Sequence, residues 1–193
     1  MKKIIIAIDS FKGCLTSAEA GKAAEKGIKS INPSCHTSVI PIADGGEGLL
    51  DVLITATKGK YITLSAHGPL MKMAKTHYGL SGNGRTAIIE MAAISGLPLV
   101  PIEQRNPMLT TTFGTGELIK DALNKGCRNF IIGIGGSATN DAGLGMLQAL
   151  GFRFLDKSGH TLGTGGQIME AVANIDTSGI HPALRETHFM VAC

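Results

Sequence analysis

Three short stretches hold the residue types that chemistry on a small anionic molecule needs: Asp9, Ser10 and Lys12 in "DSFKG", Asp44 and Glu47 in "ADGGEG", and Asn140 with Asp141 inside "GIGGSATNDAGLG" (133–145). Lys12 can neutralise a phosphate or carboxylate as a point charge, and Ser10 can donate a hydrogen bond beside it. In the second stretch Gly45, Gly46 and Gly48 let backbone approach a ligand closely, while Asp44 or Glu47 holds a metal ion or takes a hydroxyl proton. The same acids also suit a structural use, with Asp9 forming a turn, Asp44 capping a helix and Glu47 favouring its first turn.

The third stretch is compatible with two chemistries. Gly133-x-Gly135-x-x-Ala138 satisfies a relaxed dinucleotide fingerprint, with Asp156 about 20 residues on as the ribose acid. Read alone it predicts an NAD(P)-dependent dehydrogenase. Three features oppose this. The motif lies late in the chain; Gly143 and Gly145 fall within the expected helix, where each costs roughly 1 kcal/mol against Ala; and Asp141 sits where a pyrophosphate wants no carboxylate. An acid beside a phosphate-binding loop suggests Mg²⁺ and phosphoryl transfer instead. A non-catalytic domain that senses a phosphometabolite is a third reading.

These loops need strands and helices to hold them. "KIIIAI" (3–8) is an apolar, non-alternating run, the pattern of a parallel strand buried on both faces. Thr16 with Glu19 predicts a capping box, opening a helix whose Ala20, Ala24, Gly27, Ile28 and Ile31 form one stripe. A strand at 37–42 and a helix with Leu49, Leu53 and Ala56 inward repeat the unit. "KYITLSAHGP", "AKTHYGLSG" and "RTAIIEMA" are strands with no long helix between them, which predicts antiparallel or mixed pairing. A helix follows with Leu118, Ile119, Ala122 and Leu123 inward. A strand at 128–133, a helix through 138–151 aligning Leu144, Leu147 and Leu150, and a strand in "FRFLD" then read as β-α-β. The fold class expected is α/β, with parallel Rossmann-like or flavodoxin-like sheet units and a second α/β subdomain of mixed sheet. The expected division is 1–65 and 66–193. "THFMVAC" reads as a strand without a following loop, so the sequence is expected to continue in a longer protein.

Composition excludes other classes. A net charge of +3 with scattered lysines and no Trp offers neither the basic stripe nor the stacking platforms of a nucleic-acid binder. The apolar start ends at Asp9, too short for a signal peptide or membrane span. Cys14, Cys35, Cys127 and Cys193 lack metal-ligand spacing and read as reduced thiols, which predicts a cytoplasmic protein. Neither a P-loop, H-E-x-x-H nor G-x-S-x-G is present.

Taken together, "DSFKG", "PIADGGEG", "AIIEMAAISGLPLV", "RNPMLTTTFGTGELI" and "GIGGSATNDAGLGMLQALG" resemble the ordered sequence blocks of the glycerate kinase family. The resemblance spans residues 9–151. It implies transfer of the ATP γ-phosphoryl group to the 2-hydroxyl of D-glycerate, with Mg²⁺, giving 2-phosphoglycerate and ADP on a two-domain scaffold. It also implies that Lys12 holds phosphate or the glycerate carboxylate. Asp44 and Asp141 would be metal ligand or base, in either order. Gly135, Gly136 and Ser137 would donate to phosphate, Asn140 would face metal or substrate, and Thr115 and Glu117 would flank the cleft. Ser10, Gly45, Gly46 and Glu47 complete the expected binding set. Neither nucleic acid nor membrane is an expected partner; a homodimer stays open.

Overall fold

The computed structural model describes residues 3–11 and 14–193. The first strand, β1 (Lys3–Ile8), pairs in parallel with β2 (His36–Pro41), and α1 (Ser17–Ile31) crosses between them. Thr16 and Glu19 form the expected capping box: the Thr16 hydroxyl accepts from the Glu19 amide, and the Glu19 carboxylate accepts from the Thr16 amide at 2.9 Å. Two burial expectations fail here. Along β1 only Ile6 is buried and Ile5 is 59 % exposed, because the two-stranded sheet is covered by α1 on one face. The inward face of α1 is Ser17, Ala20 and Gly21, while Ile31 is 89 % exposed. A Cβ on Gly21 would lie 2.3 Å from a Val39 methyl, so the missing side chain lets α1 lie on β2.

The main sheet has five strands: β3 (Lys60–His67), β4 (Met73–Leu80), β5 (Thr86–Glu90), β6 (Asn129–Gly133) and β9 (His188–Ala192), in that spatial order. The β3–β4 and β4–β5 pairs are antiparallel; β5–β6 and β6–β9 are parallel. The sheet is therefore mixed, as the sequence predicts. Residue 65, the expected boundary, lies within β3 where Ser65 pairs with Lys75. The helix α2 (Leu49–Thr57) packs on this sheet through Leu50 and Ile54 against Ile88, with Leu53 packed beside them and Leu49 also buried, so of the expected Leu49, Leu53 and Ala56 only Ala56 faces outward. On the core side, α4 (Phe113–Asn124) buries Leu118, Ile119, Ala122 and Leu123 against Tyr78, Ile89 and Phe130.

The segment after β6 departs from expectation. No helix starts at 138: residues 134–143 form a loop, and α5 (Leu144–Ala149) begins only at Leu144. Gly143 is the N-cap with φ 76°, a left-handed conformation that a side chain would resist, so it is not a helix-interior glycine. The strand β7 (Arg153–Leu155) does not rejoin the parallel sheet but pairs antiparallel with β8 (Asn174–Asp176). The parallel neighbours of β6 are β5 and β9, the second being the strand read in "THFMVAC". Among the described residues no helix is long and apolar enough to cross a membrane.

Candidate functional site

The parallel strands β1, β2 and β6 end in the glycine and acid loops, and β5 beside β6 ends in Glu90, the position at which open α/β sheets hold ligands. Ser17, buried at the start of α1, ties the first two ends together: its hydroxyl donates to the Ile8 carbonyl at 2.6 Å and accepts from the Ile42 amide at 3.0 Å. The sequence signal for it was only its place beside the Thr16 cap. Ser10 lies in the loop so fixed, its amide donating to the Asp9 carboxylate at 2.6 Å. Lys12 falls outside the described residues.

A cavity of about 430 Å³ opens between the first two loops, with Ser10, Thr16 and Ser17 on one wall and Glu47, Gly48 and Glu90 on the other. Asp44 is exposed and its Oδ1 accepts from the Gly46 amide at 3.1 Å, a local turn rather than the helix cap that the structural reading of this acid expects, since the N-cap of α2 is Gly48. The second loop also touches the third. The Gly135 amide donates to the Gly45 carbonyl at 3.4 Å, and a Cβ on Gly135 would stand 2.6 Å from the Gly46 Cα. On its other side Gly45 packs against the end of β9, where a Cβ would meet the Ala192 carbonyl carbon at 2.6 Å. The missing side chains of Gly45 and Gly135 are thus what let two strand ends and two loops lie in contact.

The remaining expected residues sit one layer back. Gly136 presents its carbonyl to the Leu97 amide, and the Ser137 hydroxyl accepts from the Thr139 amide at 3.0 Å, folding the loop on itself. Asn140 is exposed, and its side chain makes no hydrogen bond among the described residues. Thr115 is 2 % exposed and its hydroxyl pairs with Ser95 at 2.8 Å; the Ser95 carbonyl in turn receives the Ala138 amide. Glu117 clasps His67, accepting its amide at 2.7 Å and meeting Nδ1 at 2.9 Å. Thr115 and Glu117 therefore support the loops from behind rather than line the cavity with Ser10 and Glu47.

Asp141 differs most from its expected setting. It is 1 % exposed, and its two oxygens accept from the Thr111 hydroxyl (3.2 Å), the Thr112 amide (2.8 Å) and hydroxyl (2.9 Å), and the amides of Gly143 (3.1 Å) and Gly145 (3.2 Å). Those donors belong to the entries of α4 and α5. This carboxylate staples two helix starts together, and its lone pairs are occupied. Asp156 likewise accepts from the Ser158 and His160 amides in a turn, which holds its carboxyl below the usual range. A ribose role for Asp156 loses its basis, and so does the dinucleotide-binding reading of 133–156, since a ten-residue loop separates β6 from α5.

One acid in the cavity wall was missed. Glu90 ends β5, and its Oε1 accepts from the Leu50 amide at 2.7 Å, one of the orphan donors at the start of α2, whose N-cap Gly48 has no side chain to supply. Burial is the main cause that pushes its carboxyl up, with Asp51 adding to it. An acid closing the apolar run "AIIE" was the available signal.

Parallel strands whose first two loops border one cavity, with a third glycine-rich loop packed against the second, define an α/β protein of the open parallel-sheet kind. The family model described as "Glycerate kinase family" matches residues 4–193. The chain belongs to that family. It is 53 % identical over 191 residues to the glycerate kinase of Bacillus subtilis (strain 168) and 49 % identical to the glycerate 2-kinase of Escherichia coli (strain K12), in both cases across 99 % of this chain and 50 % of the relative. The crystal structure of a putative glycerate kinase 2 from Salmonella typhimurium LT2 matches with a TM-score of 0.87 at 48 % identity, covering all of this chain and 52 % of that one. The chain thus spans about half the length of the curated relatives it matches.

Proposed function

We propose that the protein carrying this chain transfers the γ-phosphoryl group of ATP to the 2-hydroxyl of D-glycerate. The observation that carries the reading is the junction of the second and third loops at Gly45, Gly46 and Gly135, beside a cavity walled by Ser10 and Glu47. With the Gly46 amide held by Asp44 and the Gly135 amide by the Gly45 carbonyl, the Gly45 and Gly136 N–H groups are the backbone donors for an incoming anion. Family membership and the two relatives named as glycerate kinase and glycerate 2-kinase support phosphate donor, acceptor and regiochemistry.

The division of labour follows from accessibility. Ser10 and the backbone of Gly45, Gly46, Gly135 and Gly136 bind and orient, with the Ser137 hydroxyl behind them and Lys12 supplying positive charge. Asp44, exposed and bound to one local amide, is free to take the acceptor hydroxyl's proton or a metal ion. Among the described residues no cluster of three or more His, Cys, Asp or Glu side chains is arranged to hold a metal. The exposed Asp44 carboxylate would be the protein-side oxygen for Mg²⁺ carried on nucleotide phosphates. Bound there, Mg²⁺ would neutralise developing charge on the phosphates. Because the transition state is loose, the protein's own contribution is mainly orientation.

The test is coupled measurement of glycerate-dependent ADP formation in the protein that carries this chain. Asp44→Asn is expected to lower kcat by at least about 10²-fold without loss of thermal stability, since the carboxylate is exposed. Turnover near wild type in that variant removes Asp44 from the chemistry. No ADP formation by the wild-type protein with glycerate removes the reading itself.

A further inference from the structure

We infer that Glu90 is a positioning residue for the phosphoryl-transfer site, acting through the 43–48 loop that it fastens to the end of strand β5. The inference rests on the function proposed above. Three observations meet at this residue. Its backbone lies in register with Gly133, and the next amide, Met91 N–H, donates to the Gly133 carbonyl at 2.9 Å, so Glu90 is rigidly placed against the root of the third loop. Its side chain then crosses to α2, where Oε1 takes the Leu50 amide at 2.7 Å immediately after "ADGGEG". It also forms part of the wall of the 430 Å³ cavity that Ser10 and Glu47 share. Glu90 therefore joins the end of the second loop, through its carboxylate, to the root of the third, through its backbone.

A residue kept for stability alone would not be this one. The groups that face it are Glu47 in the loop, Asp51 on α2, His77 on β4 and Tyr61 on β3, with Glu19 across the cavity, so acids outnumber the one basic group. The Leu50 and Gly48 amides favour its charged form, but burial outweighs them and the carboxyl is pushed up from 4.5. The sign follows directly. The folded chain keeps this proton at pH values where the unfolded chain has released it, so its contribution to stability falls as pH rises above 4.5 through the folded value. An acid buried among other acids, at the seam of two loops and bound to the Leu50 amide, points to a use beyond stability.

The experiment compares wild type, Glu90→Gln and Glu90→Asp in the full-length protein. Gln offers one acceptor oxygen and an NH₂ group that cannot accept from a second amide, so the end of the 43–48 loop loosens. E90Q is expected to lower kcat by roughly 10- to 100-fold, the scale of a misplaced reacting group, with little change in either KM. Its urea midpoint should rise relative to wild type between pH 5 and pH 8. E90D keeps the charge but withdraws the oxygen by one methylene; it should also lower kcat, and it serves as the test should E90Q not fold. Wild-type kcat in E90Q overturns the inference. So does a fall in kcat accompanied by lower stability than wild type at pH 8, which would make Glu90 a cap and nothing more. If wild type itself forms no ADP with glycerate, the proposed function fails instead, and the pH dependence of stability still reports on Glu90.

Discussion

At the level of single residues, two aspartates that look alike in sequence have opposite surroundings. Asp44 and Asp141 each sit in a glycine-rich loop, and nothing local separates them. What separates them is the Thr110, Thr111 and Thr112 run, about 30 positions before Asp141, which supplies three of its five donors and is itself buried. Pairing over that distance leaves no trace in a local pattern. The difference predicts separable effects. Asp141→Asn puts an NH₂ group against amide and hydroxyl donors, and a buried donor left unpaired costs about 1–3 kcal/mol. A drop of that size, or several degrees in Tm, is expected by urea or thermal unfolding, with Asp141→Ala lower still, whereas Asp44→Asn should unfold as wild type does. An Asp141→Asn protein of native stability that has lost turnover would instead restore Asp141 to the chemistry.

Strands and helices were legible where burial runs along the chain and illegible where tertiary partners decide. The apolar runs of β5 and β6 and the stripe of α4 needed no context. β1 has the same composition as a doubly covered strand, yet it gained cover on one face, and only its packing reveals that. Residues 138–143 read as helix because Ala, Asn and Asp are tolerated in a first turn; Asp141 pulled toward the threonines and the left-handed Gly143 delay α5. Packing between elements also carries a pH signature. Tyr78 on β4 is fully buried and donates to Asp121 on α4 at 2.8 Å, and burial first, then that bond, pushes its phenol well above 10. The unfolded chain ionises this tyrosine near 10 while the folded chain does not, so folding stability should decline as pH rises beyond 10. Tyr78→Phe removes that ionisation from the unfolded state; Asp121 keeps Lys125, whose ammonium lies at 2.5 Å. The gap between urea midpoints at pH 9 and pH 11 should therefore narrow in the variant relative to wild type, the remainder coming from Tyr61, pushed up to about 12 by its bond to Asp51, and from the buried Cys127 thiol, also pushed up. Equal divergence in both would place the alkaline sensitivity elsewhere.

Across the whole chain, burial is distributed unevenly between the two larger sheets. The five-stranded sheet is packed on α4 through Ile89, Leu118, Ile119, Phe130 and Leu123 as one continuous cluster. The β1–β2 pair relies on Ile6, Ala20 and Cys35, with Ile5 and Ile40 largely exposed. Apolar burial stabilises by about 25 cal/mol per Å², so the second unit has far less to lose on opening. Its two strands also lack the further ladder that each central strand of the other sheet possesses. Regions with few buried apolar contacts exchange amide hydrogens through local opening well below the global unfolding energy. Amides of Ile4 to Ile8 and Thr37 to Ile40 should accordingly exchange faster than those of Ile88, Ile89, Ile131 and Ile132. The first loop hangs from β1, so a ligand that engages Ser10 should slow exchange in β1 and β2 most, and leave β5 and β6 nearly unchanged. Hydrogen exchange read by mass spectrometry with and without an ATP analogue and glycerate tests both parts. Uniform protection across the two sheets in the free protein would mean that they open together, and the expected asymmetry would be lost.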